Sequence, residues 1–132
     1  MTKKDIIETL NNYNLDKDKF IIITGAALVL QNFSNQTHDI DIWVSKDYYE
    51  YLLSNFNCEF DRINEFGNKA FMIDDVINFS FDFCPNNYVY INGYKVASLR
   101  DCYIVKKLLN RDKDKDKELL LKLEKELNKC LY

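Results

Sequence analysis

Two carboxylates, Asp39 and Asp41, flank Ile40 in the segment Thr37-His38-Asp39-Ile40-Asp41-Ile42. Successive side chains of a strand point to opposite faces, so both acids share one face while Ile40, Ile42 and Val44 take the other. Like charges so placed repel, and a divalent cation that prefers oxygen ligands relieves the repulsion. The same pair also suits the solvated side of an edge strand. Upstream, Phe20-Ile21-Ile22-Ile23 is a continuous apolar run of the kind a buried strand shows, and Ala26 to Leu30 suits a helix. Gly25 and Ala26 therefore stand at a strand-to-helix turn. The first N–H groups of a helix have no intrahelical partner and carry the positive end of its dipole, so such a turn can receive a polyphosphate. Thr37 can either hydrogen-bond near those phosphates or simply start the strand.

A second alternating segment, Val76 to Phe83, puts Ile77, Phe79, Phe81 and Phe83 on one side and Asn78, Ser80 and Asp82 on the other. Asp82 thus joins a polar sheet face. His38, the only histidine, reads as a polar residue at a strand end more readily than as a base. Trp43 shares the face of Asp39 and Asp41, and covering the sheet end is favoured over stacking on a base.

With these residues in place, the chain resembles a nucleotidyltransferase of the DNA polymerase beta superfamily, in the minimal form found among bacterial antitoxins, abortive-infection proteins and small antibiotic-modifying enzymes. That family shows a glycine turn, a spacer, an Asp-apolar-Asp strand and a third carboxylate on a later strand. Gly25, Asp39, Asp41 and Asp82 match those positions in order. The resemblance extends through Val96-Ala97-Ser98 to Lys106 and on to Arg111-Asp112-Lys113-Asp114, covering residues 20 to 125.

The resemblance implies an α/β (α+β) polymerase-beta-like nucleotidyltransferase fold, a mixed sheet flanked by helices. It implies transfer of a nucleoside monophosphate from a triphosphate such as ATP to a hydroxyl acceptor, with release of pyrophosphate. Asp39, Asp41 and Asp82 would be the catalytic carboxylates and would hold one or two Mg²⁺ ions, with Asp82 also activating the acceptor hydroxyl. Gly25, Ala26, Thr37, Lys106, Arg111 and Lys113 would contact the phosphates or substrate. The acceptor is open among a partner toxin protein, an RNA end and a small molecule. The second turn residue is Ala26 where relatives carry Gly or Ser, and Asn35 stands where close relatives often place Arg. Both favour an alternative, a catalytically degenerate module that keeps the fold and binds a nucleotide or protein partner. The alternating charges from Arg111 to Lys117 also read as a solvated junction.

Composition sets the outer bounds. A length of 132 residues suits one compact domain, 1–132, with little room for a separate substrate domain. Hydrophobic residues at 47% exclude a disordered chain, and a net charge of −3 without a basic tract argues against duplex DNA or bulk RNA as the partner. No apolar run reaches the ~20 residues of a membrane span and no signal-peptide core follows Met1, which predicts a cytoplasmic protein. Cys58, Cys84, Cys102 and Cys130 are too scattered for a zinc motif or a secreted disulfide framework and are expected to be reduced.

The elements that must position these residues can be read from periodicity and punctuation. Ile6, Ile7 and Leu10 predict an amphipathic first helix ending near Asn11 to Asn14. Ser45 should cap a helix through Tyr48, Tyr51 and Leu52. Strands are predicted at Cys58–Ile63, Lys69–Ile73 and Val76–Phe83, with Asp74-Asp75 between the last two and Asn92-Gly93 turning a hairpin from Tyr88–Ile91 into Tyr94–Val96. Ser98 to Asp101 reads as an acidic capping box opening a helix through Leu109, and Leu119, Leu120, Leu123 and Leu127 stripe a final helix.

Overall fold

The computed structural model describes residues 1–64, 67–81, 83–109 and 114–129. Helix α1 (Lys3–Tyr13) opens with a reciprocal capping box between Thr2 and Asp5 and ends at Asn14, which takes a left-handed conformation. It leads into β1 (Phe20–Ile22), α2 (Thr24–Leu30), β2 (Ile40–Val44) and α3 (Lys46–Asn55), the last capped by the Ser45 hydroxyl accepting from the Tyr48 N–H. Strands β3 (Cys58–Ile63), β4 (Lys69–Ile73), β5 (Ile77–Ser80), β6 (Tyr88–Ile91) and β7 (Tyr94–Ala97) follow, then α4 (Leu99–Leu109) and α5 (Asp114–Lys129). Asp74 and Asp75 both adopt positive φ, as do Asn92 and Gly93, so the two predicted tight turns form as their residue types demand.

All seven strands join one mixed sheet in the order β3-β4-β5-β2-β1-β7-β6. The centre carries two parallel pairs, β2 with β5 and β1 with β7, and the remaining neighbours are antiparallel. One face is apolar: Ile40, Ile42, Ile77, Phe79, Phe20, Ile22 and Val96 are wholly buried. Helix α3 rests on it through Tyr49, whose ring meets Phe71 and Phe79 edge-on. The Tyr94 hydroxyl donates to Asn11 of α1 at 2.6 Å. Helix α2 lies against β2 and β7, α4 packs on α2, and α5 packs on α4.

Strand β5 is shorter than its alternation predicts. It ends at Ser80 because the Phe81 carbonyl accepts the Trp43 indole N–H at 3.1 Å, which draws the chain out of the ladder. This contact holds Trp43 against the segment that leaves β5. The pairings make β6 parallel to β5, so the connecting segment has to pass β2, β1 and β7. Its far end is clipped by Asp101, only 3% exposed, whose carboxylate accepts from the backbone N–H groups of Asn86 and Asn87 and from the Ser98 hydroxyl. Ser98 in turn accepts from the Asp101 N–H, so half of the predicted capping box forms; the Ser98 N–H donates to the Asn87 carbonyl instead, and the acid turns to the crossing segment.

Asp101→Ala should therefore strand two inward N–H groups and the Ser98 hydroxyl proton, while the bond from the residue-101 N–H to Ser98 stays. A loss of about 2–4 kcal/mol in urea unfolding is expected, whereas Asp101→Asn, which keeps an acceptor oxygen, should lose clearly less. Equal losses would remove the clip from this account.

Candidate functional site

The turn between β1 and α2 is built around Thr24, which holds φ 51°, an uncommon conformation for a β-branched residue. Its hydroxyl donates to the Asp41 carboxylate at 2.7 Å, and the neighbouring Ile23 N–H donates to the Asp41 carbonyl at 2.9 Å. Asp41 is thereby fixed by both its side chain and its backbone to the turn. Gly25 itself has an ordinary negative φ; its lack of a side chain matters because a Cβ there would sit 2.8 Å from the Thr37 hydroxyl oxygen. Thr37 lies in the loop before β2, where its hydroxyl donates to the Asp39 carbonyl at 3.2 Å. The glycine lets that loop press against the turn.

Asp41 belongs to β2 and is half-buried, and Asp39 stands just before the strand, also half-buried. Ile40, Ile42 and Val44 alternate inward as predicted. On the Asp41 face, Asn78 is its register partner on β5 and donates to the Asp61 carboxylate at 2.9 Å and to the Met72 sulfur. Asp41, Asn78 and Asp61 therefore form a polar line running from β2 toward the β3 edge. Behind the turn lies Cys102 of α4, 1% exposed, its thiol donating to the Ala97 carbonyl at 3.8 Å. Burial pushes its thiol up to about 12, an effect the ammonium of Lys106, one helical turn away, partly offsets. Gln31, at the end of α2, ties the helix to β7 by donating to the carbonyls of Ala27 and Ala97.

A structure of a candidate nucleotidyltransferase from Thermotoga maritima superposes with a TM-score of 0.57 at 19% identity, over 98% of this chain and 96% of that one. The chain has a nucleotidyltransferase fold. No protein-family model matches the sequence, and no curated protein matches it.

Within this nucleotidyltransferase fold, Gly25, Ala26, Thr37, Asp39 and Asp41 gather around one turn. Lys106 lies on the helix that backs it. Asp82, Arg111 and Lys113 lie outside the described residues, as does Cys130. His38 is exposed and Ala26 is buried, its side chain turned into the core. Asn78, Asp61 and Cys102 were not foreseen. The alternation of Val76–Phe83 placed Asn78 on a polar face, but only strand order sets it opposite Asp41.

Gly25→Ala should cost about 1–2 kcal/mol by overpacking against Thr37, and most of that loss should vanish when the same change is made in Thr37→Ala. Strictly additive losses in the double-mutant cycle would show that the two do not press together. The thiol makes a separate prediction. Its pKa in the fold lies above that of the unfolded chain, so the stability it contributes is present in full below pH 9 and lost as pH rises toward about 12. Melting temperatures of the parent should fall more steeply across that window than those of Cys102→Ala.

Proposed function

We propose that the chain is a Mg²⁺-dependent nucleotidyltransferase, moving a nucleoside monophosphate from a nucleoside triphosphate to a hydroxyl acceptor. The observation that supports it best is the tie between Thr24 and Asp41, which locks the Asp39–Asp41 pair to the glycine turn in this fold. Among the described residues no three His, Cys, Asp or Glu side chains converge as a metal cage. A pair of carboxylates suits Mg²⁺ nonetheless, because that ion keeps several waters and is commonly bound by one or two carboxylates together with substrate phosphates. Asp39 and Asp41 would hold it, and it would supply charge neutralisation at the reacting phosphate.

The chain's own residues then have distinct tasks. The Thr24 hydroxyl keeps the Asp41 carboxylate in one orientation, and Thr37 sets the backbone from which Asp39 projects. The turn at Gly25 and Ala26 would receive the phosphates, with Lys106, Arg111 and Lys113 adding positive charge. Asp82 would accept the proton of the acceptor hydroxyl, leaving pyrophosphate as the second product. A hydroxyl of a partner toxin protein, an RNA end and a small molecule are the acceptor classes this reading admits, and the first would place the chain among antitoxin or abortive-infection nucleotidyltransferases.

One observation favours a second reading, a fold that binds a nucleotide without turnover. Ala26, the second turn residue, is buried and carries no hydroxyl, so it can offer a phosphate only its backbone N–H.

A thermal-shift experiment with Mg²⁺ and each nucleoside triphosphate, followed by incubation with labelled triphosphate and candidate acceptors, separates the readings. The parent should gain melting temperature with Mg²⁺ and triphosphate together, and Asp39→Asn and Asp41→Asn should lose that gain. Without ligand, Asp39→Asn should be as stable as the parent, since a like charge is removed. Asp41→Asn should lose about 1 kcal/mol, because Thr24 then donates to a neutral amide oxygen. Stabilisation without labelled product supports the binding module; no stabilisation in the parent discards both readings.

A further inference from the structure

The two edges of the sheet are built differently. Strand β3, at one end, carries Glu59, Asp61 and Arg62 and a register shift between Phe60 and Arg62, the features by which proteins discourage strand addition. Strand β6, at the other end, is Tyr-Val-Tyr-Ile, with neither charge nor proline nor bulge. Tyr88, Val89 and Tyr90 are 42%, 42% and 65% exposed.

Its free hydrogen-bonding groups can be assigned. The two-residue turn Asn92-Gly93 makes Ile91 and Tyr94 the first pair, which in such a hairpin exchange both backbone bonds. Bonded pairs then recur at every second residue, at Val89 with Val96 and at Asn87 with Ser98. The Ser98 N–H donating to the Asn87 carbonyl at 3.1 Å confirms that parity. Tyr88 and Tyr90 hence direct their N–H and C=O groups away from β7, toward the free edge, where no strand follows among the described residues.

We propose that this edge pairs with β6 of a second copy of the chain, antiparallel about a two-fold axis at Val89. A two-fold axis normal to the sheet requires paired residues to lie on the same face, so Val89 meets the partner copy's residue 89 and Tyr88 meets residue 90. This register places the outward groups of Tyr88 opposite those of Tyr90 in both halves, giving four backbone hydrogen bonds with none left over. It also gathers the four tyrosines into cross-strand pairs on one face and the valines on the other, and aromatic and β-branched pairs are favourable at such positions. The match is self-complementary, as an isologous contact must be. A nucleic acid would leave the backbone groups unsatisfied, and the net charge of −3 does not attract one. Two four-residue strands make a contact smaller than a permanent dimer needs, so association should depend on concentration.

Sedimentation velocity over a concentration series tests the pairing. The parent should shift from monomer toward dimer as concentration rises. Val89→Lys, which sets two ammonium groups across the axis, and Tyr90→Pro, which removes an outward donor that β7 does not use, should abolish the shift with melting temperature unchanged. In the otherwise unaltered chain, Val89→Cys should form a 89–89 disulfide on mild oxidation, identified by peptide mass, because directly opposed residues of a non-hydrogen-bonded pair lie about 4.5 Å apart at Cα. A parent that stays monomeric throughout, or dimers that survive both substitutions, would overturn the proposal. So would tight binding of a single-stranded oligonucleotide that Tyr90→Ala removes from a monomeric parent, which would give the edge to nucleic acid.

Discussion

A single hydroxyl holds together the part of this molecule on which its chemistry would depend. Thr24 sits in left-handed backbone space, which costs a β-branched residue on the order of 1–3 kcal/mol. The bond from its side chain to Asp41, together with that from the Ile23 N–H to the Asp41 carbonyl, offsets the cost. The strain and the carboxylate are thus coupled: β1 can turn sharply into α2 because β2 supplies an acceptor, and Asp41 is oriented because β1 turns sharply. Gly25 extends the coupling to Thr37 and so to the backbone of Asp39. A loosened turn would release both acids at once.

The rest of the sheet serves that turn by keeping its helices to one side. Tyr49, Asn11 and the buried residues of α2 all meet the face that carries Ile42, Phe79 and Tyr94. The face of Asp41 and Asn78 keeps polar side chains. The segment that leaves β5 is fastened at its two ends, by the Trp43 indole and by the Asp101 carboxylate. Asp101 has little solvent to share its charge with, and its three donors take the place of water.

Much of this was legible where the signal is local. Strands β3 and β4 begin and end where their alternation predicts, and Asn92-Gly93 and Asp74-Asp75 make the turns their positive φ requires. Ser45 and Ser98 cap the helices they precede. The departures are tertiary. Val76–Phe83 alternates throughout, yet the strand stops at Ser80 because a tryptophan from another strand takes the Phe81 carbonyl. Glycine was the obvious residue for a left-handed turn, but the adjacent threonine occupies it, held by an aspartate 17 positions on. The alignment of Asp61 and Asn78 with Asp41 follows from strand order, which no local period encodes. Of the carboxylates, Asp39 and Asp41 come to the turn as their spacing suggests.

The strand order also governs how the molecule can be made. Strands β1 and β2 lie at the middle of the sheet, but the neighbours that bury them come from far along the chain: Ile22 aligns with Val96, and Ile42 with Phe79. Closing such long loops costs entropy before any contact compensates it, which slows folding relative to a chain of local hairpins. The β3-β4-β5 meander and the β6–β7 hairpin are local and can form early. The contacts that set the turn itself lie within residues 23–41, but the strands on which it rests gain their outer neighbours only from β5 and β7. A ribosome that has released only the first half has made Asp39 and Asp41 without the strands that bury their neighbours Ile40 and Ile42, and those apolar side chains remain open to other surfaces until β5 and β7 emerge.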